Sequence, residues 1–305
     1  VWAVAMNFCY RGYWNGINRP LVYMRTLVIT HVANVIFSYG LIFGAWGLPA
    51  LGGAGAGLGT SLALYLGSAL YLLQTWRAAR EHGFLRARPS RATLRNILRI
   101  SLPNGVQQFF FATGLTVLFW IIGRVGADEV AVAHILITLI LFLILPAIGL
   151  GLSAASLVGQ ALGRRDADDA YRWGWDVTRL AVSLLFVLAL PMWLVPDLIL
   201  GLFLKQPALV ELGRAPLMIT GLAICLDGVA IIFTQALLGA GAARSVMVVT
   251  LAVQWFFFLP LAYIIGPVLG YGLLGIWLAQ AFQRLITSLL LSGLWIKRGW
   301  AHIEL

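Results

Sequence analysis

The 305 residues are 61% hydrophobic and 10% charged, with a mean hydropathy of +0.92, whereas soluble domains carry about 25% charged residues. That balance excludes a soluble enzyme or binding domain and predicts an all-α membrane protein. The net charge of +10 would suit nucleic acid only if a soluble domain presented a basic face, and none is available, so no nucleic acid is expected.

Residues 1–9 (VWAVAMNFC) are apolar but too short to cross a bilayer. They read as the tail of a helix that starts upstream, and no signal peptide is expected. Eight apolar runs follow, at about 21–43, 54–76, 101–122, 131–158, 175–195, 215–238, 246–268 and 273–296. Each has the roughly 20 residues a helix needs to span the hydrocarbon core. The runs are continuous rather than alternating, which favours helices over barrel strands. Cys9 and Cys225 both lie in apolar runs, where they read as small packed hydrophobes rather than as a disulfide or a metal site.

The connections alternate in Lys and Arg. Segments 10–20, 77–100, 159–174, 239–245 and 297–305, with the adjoining Arg25, Arg179 and Arg284, hold 18 of the 21 basic residues; Arg124, Lys205 and Arg214 lie in the other set. Cytoplasmic loops carry the excess of Lys and Arg, so the richer set and the C-terminus are expected in the cytoplasm, in an inner membrane. Residues 77–99 carry seven arginines and read as a cytoplasmic linker. A surface helix after Pro89, with Leu94, Ile97 and Leu98 opposite Arg91, Arg95 and Arg99, is the alternative.

A repeat supports two lobes. Gly16-x-x-Arg19 recurs as Gly241-x-x-Arg244, and Gly52, Gly55 and Arg77 recur as Gly272, Gly275 and Lys297. Six spans separate the copies, so the repeat is parallel. Residues 1–76 are then the end of a first lobe and 100–305 a second lobe of six helices. Residues 99–225 have no upstream partner, so a complete chain is expected to have twelve spans in a two-lobed bundle, of which eight full spans and a stub are present here.

Asp227 is the one carboxylate well inside a full span; Asp176 falls in the first turn of its run. A carboxylate at membrane depth is costly, which makes it a functional candidate, and a site that can change protonation or hold a cation is what ion-coupled transport requires. The competing reading is an interhelical anchor. The supporting polar set is Asn34 and Ser38, on one face at i and i+4, with Gln107, Gln108, Thr113, Thr116, Gln235 and Gln254. Each alone reads more simply as helix-packing glue. His31 and His134 lack a second ligand at metal spacing; His134 remains a proton-relay candidate. Pro146 and Pro260 fall inside spans and are expected to kink them. Aromatic residues such as Phe109, Phe110 and Trp255 would suit flat lipophilic cations if they face a lumen.

The segment AASLVGQALGRRDADDAYRWG, residues 154–174, resembles the signature of the multidrug and toxic compound extrusion (MATE) transporters. Pro103, Ala133-His134, Asp227 with Gly239 and Arg244, Trp255 with Pro260 and Tyr263, and Gly272, Gly275 and Trp277 extend the likeness along the chain. The resemblance implies a twelve-helix exporter of organic cations and other amphipathic compounds, driven by a proton or sodium gradient. Asp227 matches the family's second-lobe coupling carboxylate and Asn34 a first-lobe polar position. Phe111 stands where many members carry Glu, and Ser38 where some carry Asp. No cofactor or metal is expected, H+ or Na+ being transported rather than held. The expected partners are the lipid bilayer and small amphipathic or cationic substrates, handled by a monomer. A lipid-linked saccharide flippase of similar architecture is the alternative; an intramembrane enzyme would need a catalytic partner for Asp227 that is not visible in the sequence.

Overall fold

The computed structural model describes residues 2–17, 19–79, 84 and 90–302, the side chains of Ile100 and His302 apart. The described residues are helical, without strands. Eight helices among them are long and apolar enough to cross a membrane, as the apolar runs predict. The chain divides into two compact units, Val1–Arg91 and Ala92–Leu305.

The first unit contains α1 (Trp2–Gly16), α2 (Pro20–Phe43) and α3 (Gly53–Ala79). Because α1 continues to Gly16, Arg11 is on a helix and the loop expected at 10–20 shrinks to the few residues before Pro20. Proline in the first turn starts α2, where its missing N–H costs nothing. Gly44, with φ 72°, ends it in the left-handed conformation that glycine adopts freely. Gly55, Gly59, Ala63 and Gly67 recur every four residues on α3 and so share a face. Small residues let helix backbones approach closely in a membrane. A Cβ at Gly59 would sit 2.7 Å from the Ser38 backbone, and one at Gly67 would sit 2.6 Å from the Thr30 hydroxyl. Contacts that run from 38 with 59 to 30 with 67 make the pair antiparallel. α1 joins through Tyr10 stacked on Tyr71 and Ser68 donating to Asn7 (2.9 Å).

The second unit contains α4 (Arg91–Gly123), α5 (Ala127–Gly163), α6 (Ala167–Leu194), the short α7 (Pro196–Gly201) and α8 (Pro207–Gly239). One further span, Ala243–Val268, follows, and α11 (Gly272–Ile296) closes the set. The further span is not one α-helix. α9 (Ala243–Leu251) passes into a π-helical segment, Ala252–Phe258, then α10 (Leu259–Tyr263), then a second π-helical segment, Ile264–Val268. Pro260 has no N–H to give the helix, and the wide winding on both sides of it is a recognised cause of bending. Pro146, by contrast, lies inside an unbroken α5.

Several helices outrun the apolar stretches that announce them. α4 starts at Arg91 rather than 101, α6 at Ala167 rather than 175, and α8 at Pro207 rather than 215. At 1.5 Å per residue α4 is roughly 50 Å long, well beyond the ~30 Å hydrocarbon core. Apolar content marks the part of a helix in oil, whereas its end is set by capping. The Asp166 side chain accepts the Asp169 N–H at 2.9 Å, with Asp168 and Asp169 in the first turn, a favourable arrangement at the positive end of the helix dipole. Asp176 is therefore three turns into α6, not in its first, and pairs with Arg179 at 3.3 Å on an exposed face.

Helix also enters both ends of the 77–99 segment, α3 to Ala79 and α4 from Arg91. Residues 80–83 and 85–89, Pro89 included, lie outside the described residues. Leu94, Ile97 and Leu98 are exposed on the first turns of α4, and no separate surface helix forms there.

Two large apolar clusters and two smaller ones are buried in the second unit. One large cluster gathers Leu118, Ile122, Val132, Leu136, Leu217, Ile276 and Trp277; the other gathers Val158, Phe233, Leu237, Val246, Trp295 and Trp300. Large apolar side chains also point outward, among them Leu194 (75% exposed), Leu222 (69%) and Phe256 (86%). Such a surface is a liability in water and natural in lipid.

Candidate functional site

α8 packs against α5, α6 and α11. Gly239 and Gly228 set how closely. A Cβ at Gly239 would lie 2.8 Å from the Ala155 Cα on α5, and one at Gly228 would lie 2.8 Å from Leu185 Cδ1 on α6. Against α11 the register is constant. Trp277 Nε1 donates to Thr220 Oγ1 at 3.0 Å, and seven residues on, Arg284 Nη1 donates to Asp227 Oδ2 at 2.5 Å; the partners are 57 residues apart in both cases. Seven residues are close to two helical turns and return to the same face, so α8 and α11 run parallel and meet along one seam.

Along the helices the ion pair sits between the two large apolar clusters. On α8 it falls between Leu217 and Phe233, on α11 between Trp277 and Leu291. Arg284 is at the midpoint of α11, twelve residues from either end. Its side chain is 10% exposed and that of Asp227 is 19%. The contact is end-on, through one nitrogen and one oxygen. Among the described residues the other carboxylate oxygen, Oδ1, accepts no protein hydrogen bond. A two-point fork would be the more specific and stronger arrangement.

This corrects one expectation, since Arg284 is not a helix-end charge, and it supplies the partner of Asp227 that was not visible in the sequence. A signal was present in the sequence: an arginine at the centre of the run 273–296 needs a counter-charge, and the span holding Asp227, two spans earlier, runs in the same direction.

The other candidates have contacts of their own. Gln254, in the first π-helical segment, lies against α4 at Gly114, where a Cβ would overlap its amide nitrogen. Nearby, Phe110 meets Trp255 edge-on at 5.5 Å. Gln107 is one turn before Phe110, and its Oε1, like Trp255 Nε1, is buried without a hydrogen-bond partner among the described residues. Gln108 and Phe111 are exposed on α4, and exposed His134 lies with its ring 6.2 Å from Phe119. In the first unit Ser38 faces α3 at Gly59, and Asn34 lies one turn away, half-buried.

A family model described as MatE matches residues 103–264. The chain is 28% identical over 284 residues to the probable multidrug resistance protein NorM of Thermotoga maritima, covering 89% of this chain and 60% of that protein. It is 31% identical over 277 residues to the protein of the same name in Pseudomonas aeruginosa, covering 88% and 57%. The chain thus spans about 60% of the length of these curated relatives. Among solved structures, it superposes on an outward-facing multidrug resistance MATE family transporter with a TM-score of 0.86 at 18% identity, over 98% of this chain and 67% of that one. It also superposes on the MATE transporter ClbM in complex with Rb+ with a TM-score of 0.85 at 19% identity, over 99% and 67%. These likenesses establish the shared fold. With the family model matching more than half of its residues, this multi-pass, all-helical chain belongs to the MATE family of transporters.

Proposed function

We propose that the chain is part of an antiporter of the inner membrane, its C-terminus cytoplasmic, which uses a proton or sodium gradient to export organic cations, drugs or other amphipathic compounds. Asp227 is the carboxylate at which the coupling ion loads and unloads. The observation that carries this reading is a carboxylate deep inside a span, held by a single end-on contact, with Oδ1 left to accept. Loading a cation there changes the charge balance of the α8 and α11 seam and so biases one conformation against another. The relatives named as multidrug resistance proteins, and the Rb+ complex of ClbM, support an exporter that handles monovalent cations. The partner of Asp227 is a guanidinium rather than a second acid or a nucleophile, which supports a transporter over an intramembrane enzyme. The flippase alternative calls for a long basic lumen, and the apolar spans hold few internal Arg or Lys.

The test is Asp227→Asn in the full-length protein, read as gradient-driven efflux of a fluorescent organic cation. Loss of efflux with normal membrane expression is expected. Efflux at the wild-type rate refutes the proposal.

A further inference from the structure

An arginine at mid-length of a spanning helix does more here than hold two helices together. We propose that Arg284 is a tethered competitor of the coupling ion: Asp227 holds either the guanidinium or the transported cation, and the exchange makes or breaks the tie between α8 and α11. The proposal rests on the reading of Asp227 as the coupling carboxylate and adds the residue that empties it.

Charge counting comes first. Asp227 and Arg284 together are neutral, so an ion that joins them without displacing the guanidinium leaves an uncompensated positive charge in a site of low dielectric. Two unit charges about 4 Å apart, at an effective dielectric near 20, disfavour double occupancy by roughly a thousandfold. Among the described residues, no other Asp, Glu, Lys, Arg or His is seen packed at this level. At this level α5 and α6 present Ala147, Leu185 and Ala189, and α8 itself adds Cys225. α7 meets α8 near its start, through Arg214 and Asp197, thirteen residues before Asp227. Arg244, on α9, follows the far end of α8.

Geometry comes second. One nitrogen meets one oxygen, and among the described residues no group donates to Oδ1, so an ion can begin to bind before the guanidinium has left. The seam also survives the exchange. The Thr220 and Trp277 bond lies two turns to one side, and Phe233 against Trp295, with ring centres 5.8 Å apart, lies on the other. Release of Arg284 therefore loosens the middle of the α8 and α11 contact and leaves its ends in register.

The test uses the intact transporter in proteoliposomes, with ethidium as the exported cation and imposed sodium or pH gradients as the drive. The half-saturating concentration of the driving ion is measured for wild type, Arg284→Gln, Arg284→Lys and Asp227→Asn. Removing the competitor is expected to lower that concentration at least about tenfold in Arg284→Gln. Arg284→Lys, a shorter point charge without the fork, is expected to lie between Gln and wild type, and it serves alone if the Gln variant does not fold. A residue that merely supports the fold would leave ion affinity unchanged or weakened, and an unchanged or raised half-saturating concentration in folded protein overturns the proposal. If Asp227→Asn still couples to the ion, the coupling role of Asp227 fails and takes this inference with it. If coupling disappears in Asp227→Asn while Arg284→Gln matches wild type, the role of Asp227 stands and only the competitor falls.

Discussion

Removing one charge from the seam at a time tests whether Asp227 and Arg284 act as a unit in the fold. Their side chains are 19% and 10% exposed, so a variant that removes either partner strands a mostly buried charge, a change that costs about 3–5 kcal/mol. The two single variants are not equivalent. A carboxylate left alone in Arg284→Met can take up a proton and shed its charge, whereas a guanidinium left alone in Asp227→Asn cannot, so Asp227→Asn is expected to be the costlier. The double variant removes both charges and leaves an amide beside a thioether of similar volume. Replacing a buried ion pair in this way is often neutral or stabilising. The double variant is therefore expected to be within about 1 kcal/mol of wild type, and the coupling energy to be about 3 kcal/mol or more. The assay is a double-mutant cycle on purified protein in detergent micelles, unfolded by denaturant titration. Single-variant costs that simply add in the double variant, to within about 0.5 kcal/mol, would refute the claim that these side chains touch.

Two further predictions concern packing. Gly239→Val forces a side chain against the Ala155 backbone, where neither helix can yield, and is expected to cost about 1–3 kcal/mol. Gly149→Ala, where a Cβ meets nothing within 4 Å, is expected to stay within about 1 kcal/mol of wild type; equal effects of the two in thermal unfolding would contradict the close α5 and α8 contact. Trp277→Phe keeps most of the ring volume and loses the 3.0 Å bond to Thr220, for an expected cost of about 1 kcal/mol. The same substitution in a Thr220→Val background is expected to cost less, and an equal cost in both backgrounds would show that the bond contributes nothing.

The number and class of the spans were legible in the chain because they depend on a local quantity. A run such as 131–158 is apolar over the length a bilayer demands, and no tertiary contact is needed to recognise it. The small-residue stripe Gly55, Gly59, Ala63 and Gly67 was recognised only once α3 was seen against α2. Helix ends were not legible either, because capping by Asp166 and the charged early turns of α4 are independent of hydropathy. Asp227 stood out for the same local reason as the spans, as a charge in oil. Its partnership with Arg284 was decided by the tertiary structure alone. Two residues 57 positions apart meet only when two parallel helices settle into one register, and that register is set by the side chains of Thr220, Trp277, Phe233 and Trp295 and by the glycines that let α5 and α6 press against α8. Sequence shows where a charge is costly; packing determines which group answers it.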